Sequence, residues 1–165
     1  MVSKFFKSTL LQAILLLVTL CVTYSNSLHN DFMIDDDALI LTDTKIRNLK
    51  NLYYQFIPDH QEVFELEEGG QSIYYRPFAH ILPMVCYSVF EENVFGYHVF
   101  NLFLFYFAVL AFYFLVRRLF GSSELAFFTG LLYAVHPLNG MYINYITASV
   151  FGFQVLVLSL SFILF

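Results

Sequence analysis

The stretch His29-Asn30-Asp31-Phe32-Met33-Ile34-Asp35-Asp36-Asp37 begins shortly after an apolar run of membrane length, Ser8 to Tyr24. Its last residues are adjacent carboxylates, which repel one another and favour protonation of one unless a cation or a donor compensates. Held beside a membrane, such a cluster reads as a catalytic base, a cation site or both. The plainer alternative is a solvated acidic turn whose aspartates cap a helix. What flanks the cluster decides between a membrane protein and a soluble one.

The chain has 165 residues, 59% hydrophobic and 20% aromatic, with 13% charged. A soluble domain carries about 25% charged residues, so this composition points to an integral membrane protein. The mean hydropathy of +0.66 agrees. Of the 13 acidic residues, only Glu124 lies outside the interval from Asp31 to Glu92. Lys4, Lys7, Arg117 and Arg118 lie outside it. Basic residues flank spans on the cytoplasmic side. That rule puts the N-terminus and the end of the second span inside, and the acidic loop outside. No basic patch points to nucleic acid. Cys21 and Cys86 both lie in apolar runs, form no disulfide framework and read as small buried hydrophobes.

Taken in order, residues 1–24 form an N-terminal transmembrane helix with its start inside. Leu20 before Cys21, and the lack of a small-x-small pair, favour a retained span over a cleaved leader. Residues 25–95 form an extracytoplasmic loop, long enough to be functional. Within it, Thr42-Asp43-Thr44 caps a short helix over residues 45–52, with Ile46, Leu49 and Leu52 recurring every three residues. Pro77 and Pro83 interrupt an apolar stretch from Ile81 to Phe90, which reads as an interfacial helix at the membrane surface. Residues 96–165 supply transmembrane helices 2 to 4. Tyr97 to Val116 crosses the bilayer and ends at Arg117-Arg118. Ser122 or Ser123 caps the next helix, which Pro137 stops. Leu138 to Thr147 is an outer elbow, and a further apolar run from Ala148 is broken off at Phe165. The fold class expected is all-α: a polytopic transmembrane helical protein with a large first outer loop. There is no glycine-rich phosphate loop, helical zinc motif or cysteine pair at zinc spacing.

The order of motifs is more specific than any one of them. Asp31-Phe32-Met33-Ile34-Asp35-Asp36 is followed by Tyr75-Arg76-Pro77-Phe78, then by Gly96-Tyr97-His98-Val99-Phe100-Asn101-Leu102 at the opening of a span. Ala126-Phe127-Phe128 begins the next helix, Leu132-Tyr133-Ala134-Val135-His136-Pro137-Leu138-Asn139 ends it, and Asn144-Tyr145-Ile146 follows. From Asp31 to about Phe153 the chain resembles the N-terminal part of the GT-C superfamily of polyprenyl-phosphate-sugar glycosyltransferases. The branch it is most similar to holds the protein O-mannosyltransferases and the transmembrane mannosyltransferases with tetratricopeptide repeats.

The resemblance implies an extracytoplasmic active site that takes a polyprenyl-phosphate-linked sugar, with a protein or glycan as acceptor. The membrane expected is a bacterial inner membrane or that of the endoplasmic reticulum. Asp35 and Asp36 stand where that family carries its acidic pair, and one of them takes the acceptor proton. Arg76 is the loop cation best suited to the leaving phosphate, because guanidinium binds phosphate bidentately. His136 and His98, at the outer ends of their helices, are the second candidates. Their alternatives are a capping role for His136, a packing bond near Asn101 for His98, and an ion pair or lipid contact for Arg76. No cofactor is required. A divalent cation held by Asp35 and Asp37 is a weaker reading. The branch carries a Glu and an Arg where Met141 and Ser149 stand here, and more spans than 165 residues hold. A non-catalytic membrane anchor or interaction subunit derived from such an enzyme is therefore the second expectation.

Overall fold

The computed structural model describes residues 8–33, 36–57, 63–65, 71–73 and 75–165. Helix α1, Thr9–Thr23, opens on Ser8, whose Oγ accepts the Leu11 N–H at 3.3 Å. Helix α2, Pro77–Phe90, starts on a proline, which has no N–H to lose in a first turn. It runs on through Pro83, so the interfacial helix expected from Ile81 begins earlier and is unbroken. Helix α3, Val94–Phe120, stops at Gly121, whose φ of 67° is left-handed and whose N–H returns to Arg117 O. Helix α4, Ser123–Ala134, takes Ser122 rather than Ser123 as its cap. His136-Pro137 follows its end. The elbow is then a 3-10 turn (Pro137–Asn139), the short helix α5 (Gly140–Asn144) and a second 3-10 turn (Ile146–Ala148), leading into α6, Ser149–Leu164.

Two of these helical segments are long and apolar enough to cross a membrane. Val94–Phe120 has 27 residues and a mean hydropathy of 2.3; Ile146–Leu164 has 19 and a mean hydropathy of 2.0. At 1.5 Å per residue they measure about 40 and 28 Å, against about 30 Å of hydrocarbon. Helices α1 and α4 are shorter.

Side-chain contacts fix the directions. Thr9 Oγ1 accepts from Arg117, and Gln12 from Tyr113. Tyr24 at the other end of α1 stacks edge-on against Phe105, and its hydroxyl donates to Ala134 O. Gly152 of α6 faces Phe105, while Arg118 donates to Ile163 O. Helices α1 and α4 therefore run one way, and α3 and α6 the other. The start of α1 and the Arg117-Arg118 pair share one end of the bundle, and the acidic loop is at the opposite end. Leu16, Leu20, Phe105, Tyr113 and Phe127 fill the bundle core.

A second, smaller core lies over the loop end, where Ile40, Ile46, Met84, Cys86, Tyr97 and Ile146 meet. Burial pushes the Cys86 thiol up to about 12, so it is a small hydrophobe as expected. Cys21, expected to be buried too, is exposed on α1. At the corner between α2 and α3, a Cβ on Gly96 would overlap the Phe90 side chain, which would have to shift to admit it.

The loop helix expected over residues 45–52 is two 3-10 segments. Asp43 Oδ1 caps Thr44–Arg47, and Asn48 Oδ1 caps Leu49–Phe56. A recurrence of three is the 3-10 period. Ile46 is buried, but the break at Asn48 turns Leu49 outward and leaves Leu52 half-buried. Arg47 stacks over Tyr87 and pairs with Glu92 at 3.3 Å, which holds the first segment to α2. Beyond lies an antiparallel strand pair, β1 (Val63–Glu65) and β2 (Gln71–Ile73), with Phe64 opposite Ser72.

Candidate active site

A cavity of about 760 Å³ opens between the start of α2 and the outer half of α6. Tyr75, Arg76 and Phe78 form one wall, Leu39 another, and Thr147, Phe151, Gln154 and Val157 a third. The lining is mostly apolar with a few polar groups, the usual make-up of a small-molecule site. Phe78 packs on Phe153 of α6 with ring centroids 4.9 Å apart. Arg76 precedes Pro77 and so stands at the N-terminal end of α2.

Asp36 lies behind the third wall. Its side chain is fully buried. Oδ1 accepts the Thr147 N–H at 2.9 Å, and Oδ2 accepts the Ile146 N–H at 3.3 Å and the Met33 N–H at 3.1 Å. Ile146 and Thr147 open the last helical segment, where the first amides have no partner within the helix. Asp36 thus caps that segment from far away in sequence, and its charge faces the positive end of a helix dipole. Burial raises its pKa above the ordinary 3.8, against the opposing pull of the Thr147, Met33 and Ile146 groups. The carboxylate does not line the cavity. It fixes the backbone of a residue, Thr147, that does.

Two further stitches bind the same loop to the elbow. Asn30 Nδ2 donates to Asn144 Oδ1 at 2.9 Å. The buried His98 ring has Nδ1 3.2 Å from Ile143 O and Nε2 3.2 Å from Asn30 O. A neutral imidazole has one N–H, so one of these contacts is a hydrogen bond in either tautomer. His98 is a brace between loop and elbow rather than a lining residue of the cavity. Asn101, its expected partner, keeps a buried amide nitrogen with no partner among the described residues.

His136 is exposed. Its Nδ1 accepts the Leu138 N–H at 3.3 Å, so it caps the turn after α4, and it does not line the cavity. Asp37 is exposed at the start of a π-type turn, Asp37–Thr42. Asp35 lies outside the described residues. Among the described residues, no three His, Cys, Asp or Glu side chains gather as a metal site would need. Met141 is exposed on the elbow, and Ser149 is buried at the start of α6.

Of the candidates, then, Arg76 reaches the cavity and Asp36 stands directly behind it; His98 braces its frame and His136 lies elsewhere. Sequence reasoning missed Thr147 and Gln154. Thr147 meets Asp36 through a backbone N–H, which leaves no mark on side-chain chemistry.

The chain is 28% identical over 137 residues to the protein O-mannosyl-transferase F38B6.6 of Caenorhabditis elegans. The match covers 76% of this chain and 19% of that relative, so the chain spans about a fifth of the relative's length. No family model matches, and no solved structure does. The likeness points, at a distance, to a mannosyltransferase-like relationship, and the two helices of membrane length agree with a membrane protein.

Proposed function

We propose that this chain is the first-loop portion of a multi-pass membrane glycosyltransferase of GT-C type. It moves a hexose, mannose foremost, from a polyprenyl-phosphate donor to an acceptor hydroxyl on the extracytoplasmic face. The observation that carries the reading is the cavity headed by Arg76 and walled by apolar groups, in a chain whose relative is named a protein O-mannosyl-transferase. An isoprenoid chain suits the apolar wall and a phosphate suits a guanidinium.

In the proposed step the acceptor O–H gives its proton to a loop carboxylate while its oxygen bonds the anomeric carbon. The bond from that carbon to the phosphate oxygen breaks, its electron pair leaves with the phosphate, and the configuration inverts. Arg76 offsets the charge gained by the leaving group. Asp35 is the residue assigned as base. Asp36 is assigned to positioning, because its oxygens already accept backbone N–H groups and it is fully buried.

The test is transfer of mannose from a synthetic polyprenyl-phosphate donor by the intact protein. A lost general base costs about 10²–10⁴-fold, so Asp35→Asn falls by that factor with membrane insertion unchanged. Wild-type transfer by Asp35→Asn overturns the assignment. The uncharged elbow at Met141 and Ser149 favours a second reading, a non-catalytic membrane module. Wild-type protein that inserts and yet transfers nothing supports that one.

A further inference from the structure

Twelve of the chain's 13 acidic residues crowd the loop, yet residues 44–56 contain none. That stretch holds Lys45, Arg47 and Lys50, three of the four basic residues between residues 25 and 95. The same two 3-10 segments expose large apolar side chains. Tyr53 is 71% exposed, and Leu49, Tyr54 and Phe56 are each more than 40% exposed. Lys45 and Tyr54 line one shallow hollow together, so charge and ring are neighbours on that face.

The depth of this patch is set by a ladder of rings. Phe56 meets Phe78 edge-on at 6.2 Å, and Phe78 meets Phe153 at 4.9 Å. The Tyr75 hydroxyl also reaches Phe56 O at 3.4 Å. Phe153 is in the second turn of α6, just inside the loop end of a helix of membrane length. A face tied to that level, aromatic and apolar with cations beside it, has the make-up of a surface that sits where acyl chains meet headgroups.

We infer that the segment Thr44–Phe56 docks on the outer leaflet of the same bilayer, Tyr53 and Phe56 dipping in and Lys45 and Lys50 meeting lipid phosphates. The inference rests on the reading that α3 and α6 cross that bilayer. The loop is then held at two levels: Asp36, Asn30 and His98 stitch it to the elbow, and this patch seats its far side on lipid.

The chain has no tryptophan, so a single Tyr53→Trp gives one reporter, and Phe107→Trp, on the exposed side of α3, gives a second. Each full chain is reconstituted in phosphatidylcholine vesicles, with and without phosphatidylglycerol, containing lipid brominated high or deep in the acyl chain. The expected result is roughly twofold or greater quenching of Tyr53→Trp by the high bromine and of Phe107→Trp by the deep one, a seat of about 5–10 Å depth. Quenching of Tyr53→Trp that weakens in Lys45→Ala/Lys50→Ala with phosphatidylglycerol supports the phosphate contact. If Phe107→Trp is quenched while Tyr53→Trp is not, the docking is overturned and the spans stand. Iodide then tells water from a protein cover. If neither is quenched, the membrane reading itself falls.

Discussion

Replacing Asp36 with alanine removes a buried acceptor that three backbone amides share. A hydrogen bond to a charged group contributes about 1.5–3 kcal/mol net, and an amide left buried without a partner costs about 1–3. The bonds to Thr147 at 2.9 Å and Met33 at 3.1 Å are the stronger ones; that to Ile146 at 3.3 Å is long. Desolvation of the carboxylate, which raises its pKa, works against them. We therefore expect a local loss of about 3 kcal/mol, toward the low end of what one lost partner of a buried charge costs. Because the loss is local, it belongs to the junction of loop and elbow rather than to the helix bundle. Amide hydrogen exchange, resolved to single residues in micelles, reads it directly. At 1.4 kcal/mol per factor of ten, protection of Ile146 and Thr147 should fall roughly 100-fold or more in Asp36→Ala. Amides in the middle of α3 should not change. Unchanged protection at Ile146 and Thr147 would show that Asp36 caps nothing, and the positioning role would go with it.

The same residue carries a pH signature. Its pKa is raised in the fold from 3.8, so between 3.8 and the raised value the native state holds a proton that the unfolded chain has released. Stability should therefore fall as pH rises through that window, and Asp36→Asn should flatten that part of a denaturation series. Gly96→Ala places a Cβ against two Phe90 ring atoms and 2.8 Å from its Cβ. Overpacking costs about 1–3 kcal/mol, so the melting temperature should drop by about 3–9 °C; an unchanged melt would mean that the α2–α3 corner is loose. Tyr113→Phe removes the 2.6 Å bond to Gln12 Oε1 and leaves the 3.2 Å bond from Ser123. A loss of about 1 kcal/mol is expected in a thermal melt, and none would mean that this bond adds nothing to the hold on α1.

The local punctuation of the helices was legible because the chemistry that ends a helix is itself local. The serine cap of α4, placed at Ser122 or Ser123, and Pro137 beyond its end each act within a few residues of where they stand. Pro83 misled for a related reason. Proline weakens a helix, but α2 is packed on the loop and on α3, and tertiary packing outweighs a local penalty of about 3 kcal/mol. Cys21 misled because an apolar run marks a helix without saying which of its faces is covered. The brace at His98 was hidden further still. Its partners are the carbonyls of Asn30 and Ile143, and every residue has a carbonyl. The sequence offers these residues as candidates but not the division between lining and bracing positions, since that depends on backbone groups brought together across more than a hundred residues.

That division has an electrostatic consequence for the proposed donor site. Thr147, Ala148 and Val150 put the N-terminal end of α6 against the cavity, and a helix N-terminus is by itself an anion site. Here Asp36 already occupies the opening amides, Ile146 and Thr147. Its oxygens take the N–H groups that a phosphate would otherwise use. The elbow beside it has Met141 and Ser149 where the resembled branch has ions, so it adds no charge. What remains for a phosphate in this cavity is the opposite wall, where Arg76 stands at the start of α2. A donor held there would lie with its phosphate toward α2 and its isoprenoid along Phe151 and Val157 of α6. In that arrangement the buried aspartate keeps the α6 wall closed to phosphate, and the orientation of the donor follows from which helix end is left uncapped.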